Sequence, residues 1–369
     1  MKYVDVAKNL LKEADIEING SNPYDITIHN EKFYQRVLSK GSMGLGESYM
    51  DGWWDCDRLD EFFYRVLSSN LEDKISKLSV LPYIIKATVF NLENKRRAFQ
   101  VGEKHYDIGN ELYQNMLDKR MAYSCGYWKN ADTLDEAQEA KLDLICKKLN
   151  LQPGMKILDI GCGWGSFVKY ASEKYKVKAL GITISKEQVK LGREVCQGLP
   201  VEIRLQDYRE LNEKFDRIIS VGMFEHVGYK NYRTFMKVAS RILNDKGLFL
   251  LHTISGNHSS VATDPWISKY IFPNSLLPSV RQIAKATEKL FIMEDWHSFG
   301  ADYDITLMEW HKNFNNSWDE IKSNYNERFF RMWNYYLLSC AGSFRARKNQ
   351  LWQIVLSKKG VSEGYKSIR

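Results

Sequence analysis

Residues 157–167 read ILDIGCGWGSF. Few segments of the chain say as much about its architecture. Ile157 to Ile160 form a short apolar run of the kind buried in a sheet. Gly161, Gly163 and Gly165 follow at once, and a helix comes next. Glycine serves where a backbone must turn tightly and approach a ligand closely. A glycine turn between strand and helix sits at the carboxyl end of that strand, where open α/β sheets bind ligands.

The neighbouring sequence continues the pattern. KILDI, KALGI, EIRL, RIISV and LFLLHTI read as parallel strands, with KEQVKLGREVCQ and YKNYRTFMKVASRIL as helices between them. FIMEDWHSF and LWQIVLSK read as two late strands, and the aromatic insertion DPWISKYIFPNSLLPSV precedes them. This alternation predicts an α/β fold with a doubly wound, mostly parallel sheet.

The loop spacing is G-x-G-x-G, not the G-x-G-x-x-G of dinucleotide sites. Asp159 stands just before it, and a carboxylate there suits a cationic amino group better than a pyrophosphate. Both features resemble the first motif of class I methyltransferases. The resemblance implies a seven-stranded sheet and S-adenosylmethionine as co-substrate. Thr183 and Ser185 occupy a place where an acidic residue is often found, and they are expected to hydrogen-bond the cofactor with Gln188. Gln206, Asp207 and Tyr208 follow the next strand, and Asp207 resembles the residue that accepts from the adenine amino group.

Composition narrows the class. The 369 residues suggest two domains, or one with a large extension. A net charge of +7 fits an anionic partner, with a solubilising surface as the plain alternative. The charged first residues lack the core of a secretory signal, and no apolar stretch is long enough to span a bilayer. The expected location is the cytoplasm, at most on the membrane surface. The six cysteines (56, 125, 146, 162, 196 and 340) form no C-x-x-C pair. That predicts no metal site and no disulfide framework.

Residues 1–72 read as a small separate α+β unit. Val6, Leu10 and Leu11 share one side of an early helix, YDITIHN alternates, and the glycines at 41, 44, 46 and 52 imply tight turns. Residues 73–104 read as a basic amphipathic linker. Leu78, Leu81, Ile85, Val89 and Leu92 recur at helical steps among lysines, and Pro82 divides the run. Such a segment suits an anionic lipid surface or packing between domains. Residues 105–369 are expected to form the catalytic domain.

Other segments are unusual for a generic methyltransferase. They are GSMGLGESYMDGWW at 41–54, HYDIGNELY at 105–113, AYSCGYW at 122–128, GMFEHVG at 222–228, LLHTI at 250–254, FGADYDITL at 299–307 and CAGSFRARKNQLWQ at 340–353. Together they resemble the bacterial cyclopropane-fatty-acyl-phospholipid synthases along essentially the whole chain. The resemblance implies methyl transfer to a cis double bond of a membrane phospholipid acyl chain. The resulting carbocation then loses a proton to a bound bicarbonate and closes to a cyclopropane. An alkene carries no heteroatom proton for a protein base, so alignment and exclusion of water must supply much of the catalysis.

Carried over by position, the bicarbonate pocket falls on Cys125, Glu225, His252, Ile254 and Tyr303. Tyr303 is expected to donate its hydroxyl, Ile254 to offer a backbone group, and Glu225 with His252 to form an acid–base pair. Tyr123 and Ser124 resemble cofactor contacts. Cys340 is counted with the catalytic group as a structural or acceptor-pocket residue, because a thiolate nucleophile needs an activating neighbour. The resemblance further implies peripheral binding to the inner face of the cytoplasmic membrane, and an amino-terminal unit able to join a homodimer. Small-molecule N-methylation and a catalytically idle lipid-binding protein are the alternatives, and no nucleic-acid recognition module is evident.

Overall fold

A computed structural model of the chain describes residues 3–71 and 109–369. They divide into two compact units. One holds 3–71, 261–273 and 303–349, and the other 109–260, 274–302 and 350–369. The segments 261–273 and 303–349 thus group with the amino-terminal residues, although the sequence reading counts them with the catalytic domain. The basic linker at 73–104 lies outside the described residues, as do His105 to Ile108.

In the first unit, Thr27–Ile28 (β1) and Trp54–Asp55 (β2) pair antiparallel, with Ile28 opposite Trp54. Trp54 is fully buried, and Phe33, Tyr49 and Phe62 surround its ring at centroid distances of 6.0, 5.1 and 5.4 Å. The helix Lys32–Met50 runs through the glycine-rich stretch and leaves helical geometry only at Gly41, with φ 55°. Gly44 and Gly46 are therefore not turn residues, while Gly52 is, with φ 69°. At Gly46 the reason is close packing, since a Cβ there would overlap the Trp266 indole. Trp266 lies in the short helix Pro265–Tyr270, capped by Asp264 and begun by a proline that needs no hydrogen-bond partner. The carboxylate of Glu47 accepts from Arg36, Lys269 and Tyr270. Burial works against its ionisation, but these partners hold its pKa down at about 2.

The second unit holds the sheet. Lys156–Ile160 (β3), Lys178–Thr183 (β4), Val201–Leu205 (β5), Phe215–Val221 (β6), Leu243–Gly256 (β7), Ile292–Ser298 (β8) and Asn349–Ser357 (β9) stand in the order β5-β4-β3-β6-β7-β9-β8. The neighbours from β5 to β7 run parallel, and β8 pairs antiparallel with β9. This is the seven-stranded, mostly parallel sheet expected from the sequence. Ile157, Leu158 and Ile160 are buried because helices cover both faces of the sheet. The helix Leu134–Lys148 opens with a capping box, Thr133 with Glu136. Every strand from β3 to β6 delivers its carboxyl end to the same edge, and the loops that follow meet there.

Candidate active site

The glycine loop opens at the end of β3. Gly161 takes φ 87°, and a Cβ there would stand 2.6 Å from the Met223 side chain. Gly163, at φ 55°, has nothing within 4 Å of a built Cβ, so its backbone faces open space. Both line a cavity with Asp159, Thr183, Gln206 and Tyr208. Gly165 is not among the lining residues; it takes φ 91° and starts the helix Ser166–Tyr175.

Asp159 is buried, and its Oδ1 has no hydrogen-bond partner among the described residues. Burial raises its pKa to about 7, against the pull of Lys141. A lone carboxyl in a glycine-walled cavity fits the ammonium of the S-adenosylmethionine amino-acid end. The Thr183 hydroxyl donates to Gln188 Oε1 at 2.6 Å, which leaves the Gln188 NH₂ for a ligand. Asp207 accepts from the Arg209 guanidinium at 2.8 and 2.7 Å while lining the cavity. Ser185 does not line it; its hydroxyl caps the helix Lys186–Val195 by accepting from Gln188 N.

Tyr123 and Ser124 close the cavity on another side. The Ser124 hydroxyl accepts from the buried Lys141 ammonium at 2.7 Å, and the Ser124 carbonyl accepts from Gln138 Nε2 at 2.7 Å. Cys125 is fully buried, and its thiol donates to the Gly126 carbonyl.

Glu225 and His252 belong to neighbouring parts of the parallel sheet. Glu225 lies in the 3-10 turn after β6, and His252 lies in β7 opposite Val221. Among the described residues they do not hydrogen-bond to each other. Glu225 Oε1 instead accepts from Ile254 N at 2.6 Å, so the Ile254 N–H is already engaged. Glu225 Oε2 and His252 Nε2 are buried without a partner among the described residues. Burial raises the Glu225 pKa to about 7 and drives that of His252 well below its ordinary value. Gln353 Nε2 lies 3.2 Å from His252 Nδ1. With the amide as donor, the neutral ring carries its proton on Nε2, an assignment made from the hydrogen-bond network.

Tyr303 and Cys340 belong to the first unit. Tyr303 is buried, with its ring 4.6 Å from Phe344 and 5.9 Å from Trp310. Burial, then the charge of Asp264, pushes the Cys340 thiol up to about 12. A thiol so raised favours its protonated form at neutral pH.

Lys141, Gln353, Met223 and His226 escape the sequence reading, although all but Gln353 line the cavity. A signal exists for two of them. Lys141 falls on the heptad stripe Leu134, Lys141, Lys148 of its helix, and Gln353 interrupts the apolar run 351–356.

Comparison with known proteins agrees with this geometry. The family described as mycolic acid cyclopropane synthetase matches residues 93–354. A cyclopropane-fatty-acyl-phospholipid synthase of Escherichia coli strain K12 is 56% identical over 371 residues, which covers 99% of this chain and 95% of the relative. The cyclopropane synthase MmaA2 of Mycobacterium tuberculosis superposes with TM-score 0.68 at 31% identity, over 73% of this chain and 100% of that one. The mycolic acid cyclopropane synthase CmaA1, solved with SAH and CTAB, superposes with TM-score 0.67 at 32% identity, over 70% of this chain and 98% of that one. With a buried Asp159 at a glycine loop of the matching fold, the chain belongs to the mycolic acid cyclopropane synthetase family of S-adenosylmethionine-dependent enzymes.

Proposed function

We propose that the chain acts as a cyclopropane-fatty-acyl-phospholipid synthase, converting a cis double bond in a phospholipid acyl chain to a cyclopropane. The observation that carries the reading is the 56% identity to the Escherichia coli synthase across 99% of the chain, amino-terminal residues included. S-adenosylmethionine supplies the one-carbon unit. Asp159 would hold its amino-acid end, the glycine loop would admit its backbone-facing edge, and Gln206 to Tyr208 would receive its adenine.

Bicarbonate as the proton acceptor is supported by two orphaned polar atoms. Glu225 Oε2 and His252 Nε2 are buried without a hydrogen-bond partner among the described residues, and such groups are costly when left unsatisfied. A neutral His252 donates from Nε2, and a protonated Glu225 donates as well, so both suit an oxyanion. The family resemblance adds the Tyr303 hydroxyl and the Cys125 environment. Ile254 acts through Glu225, which its N–H orients. A bound anion also stabilises a nearby carbocation, which a neutral apolar wall does not. Residues 1–72 would dock on lipid and join two subunits, and residues 73–104 would meet the anionic inner face of the cytoplasmic membrane. A sedimentation mass equal to one chain contradicts the dimer.

The test of the function is incubation with unsaturated phospholipid vesicles and S-adenosylmethionine, followed by mass analysis of the acyl chains. The expected product has gained one CH₂ and lost the alkene. An unchanged acyl chain overturns the reading.

A further inference from the structure

Lys141 is almost wholly buried at 1% exposure, on the inward stripe of the helix Leu134–Lys148. An ammonium in such a place is costly unless it is engaged. Among the described residues it has one hydrogen-bond partner, the Ser124 hydroxyl at 2.7 Å, and no carboxylate within ion-pair distance. The charges that bear on it are those of Asp118 and Asp159, with the Cys125 thiol nearby. Lys141, Ser124 and Asp159 line the same cavity.

The polarity of that hydrogen bond matters. An ammonium has three donors and no acceptor, so the Ser124 oxygen must accept. The Ser124 proton is then free to be donated onward. Gln138 meanwhile grips the Ser124 carbonyl, so the same helix fixes both the backbone and the side chain of this residue. The result is an oriented hydroxyl donor backed by a positive charge. Such a group recognises an anion, and charge-assisted hydrogen bonds of this kind are the strong ones. Asp159 on the same cavity, its buried Oδ1 without a hydrogen-bond partner among the described residues, suits a cation. A zwitterionic ligand satisfies both.

We propose that Lys141 is a positioning residue that turns the Ser124 hydroxyl into a donor for the carboxylate of the S-adenosylmethionine amino-acid end. The inference rests on the reading that this cavity binds S-adenosylmethionine. It adds to Asp159, which takes the ammonium, a separate device for the carboxylate. Burial lowers the Lys141 pKa to about 8 while Asp118, Cys125 and Asp159 push it back, so the side chain is still largely cationic at neutral pH.

The experiment is calorimetric binding of two ligands to the full chain. S-adenosylhomocysteine carries the carboxylate, and its decarboxylated amine analogue lacks it. The wild type should prefer S-adenosylhomocysteine by about ten- to a hundredfold, the range of a hydrogen bond to a charged group. Lys141→Met should lose most of that preference while keeping its affinity for the decarboxylated analogue. Ser124→Ala should do the same, and the double variant should lose no more than either single change, because the two act as one unit. Equal weakening of both ligands by Lys141→Met assigns the lysine to packing alone and overturns the proposal. If Lys141→Met fails to fold, an unchanged preference in Ser124→Ala overturns it instead. A wild type that binds neither ligand fails the cofactor reading itself, which is a different result from lost discrimination.

Discussion

At Asp159 burial and charge act against each other on one carboxyl. Burial raises its pKa to about 7, and Lys141 opposes that. A raised carboxyl pKa means that the neutral form prevails below it. Only the ionised form pairs with a cationic amino group. The affinity for S-adenosylhomocysteine should therefore fall as pH drops through about 7, by up to about tenfold per pH unit. Titration calorimetry across that range checks this, and Asp159→Asn should flatten the acid limb. Glu225 lends itself to a second test. Glu225→Gln and Tyr303→Phe should lower turnover by about a hundredfold, as losses of preorganised polar groups do, with little change in cofactor affinity. Unchanged turnover in both removes the bicarbonate assignment. The glycine loop was legible from sequence because its constraint is local: a positive φ at Gly161 is written in the residue itself. Lys141 was legible only as a place on the stripe Leu134, Lys141, Lys148, since a lysine on a helix reads as solvated until tertiary structure buries it. The engagement of the Glu225 carboxylate by Ile254 N was hidden for a like reason, since it depends on how β6 and β7 align.

Elements show where glycine misleads. The cluster at 41–52 reads as turns, yet most of it is one helix. A glycine that permits a positive φ and a glycine that permits close approach look alike in sequence. Gly342 is of the second kind. It lies in the helix Glu327–Arg345, where a Cβ would stand 2.6 Å from the Asp60 carbonyl oxygen and 2.7 Å from the Phe63 Cβ. Both belong to the helix pair that also joins Arg345 to Asp60 at 2.8 Å. Gly342→Ala gains helix propensity but overpacks the contact, so a net loss of about 1–3 kcal/mol is expected. Thermal unfolding should show a fall of several degrees, and an unchanged or raised midpoint contradicts the packing account. The strands were legible because buried parallel strands carry continuous apolar runs, as in ILDI and LFLL. The inward stripe of the helix Leu134–Lys148 was not, because it places Gln138, Lys141 and Lys148 among its apolar residues.

For the molecule as a whole, the division into units was the least legible feature. Residues 261–273 and 303–349 group with the amino-terminal residues, and no local signal marks such long-range grouping. The net charge of +7 bears on how the enzyme meets its substrate. Binding to vesicles rich in anionic phospholipid should weaken steeply as salt is raised, because screening shortens the reach of surface charge. Salt-independent binding in a flotation assay would assign the attachment to apolar contacts instead. Ring formation from an acyl alkene leaves an isotopic signature on the added carbon. The direct measurement is turnover of unsaturated phospholipid vesicles with S-adenosylmethionine bearing a trideuterated methyl group, read by mass spectrometry of the acyl chains. The predicted product has lost its double bond and retains two of the three deuterons on the added carbon. Retention of all three, or an acyl chain of unchanged mass, contradicts cyclopropane formation by this chain.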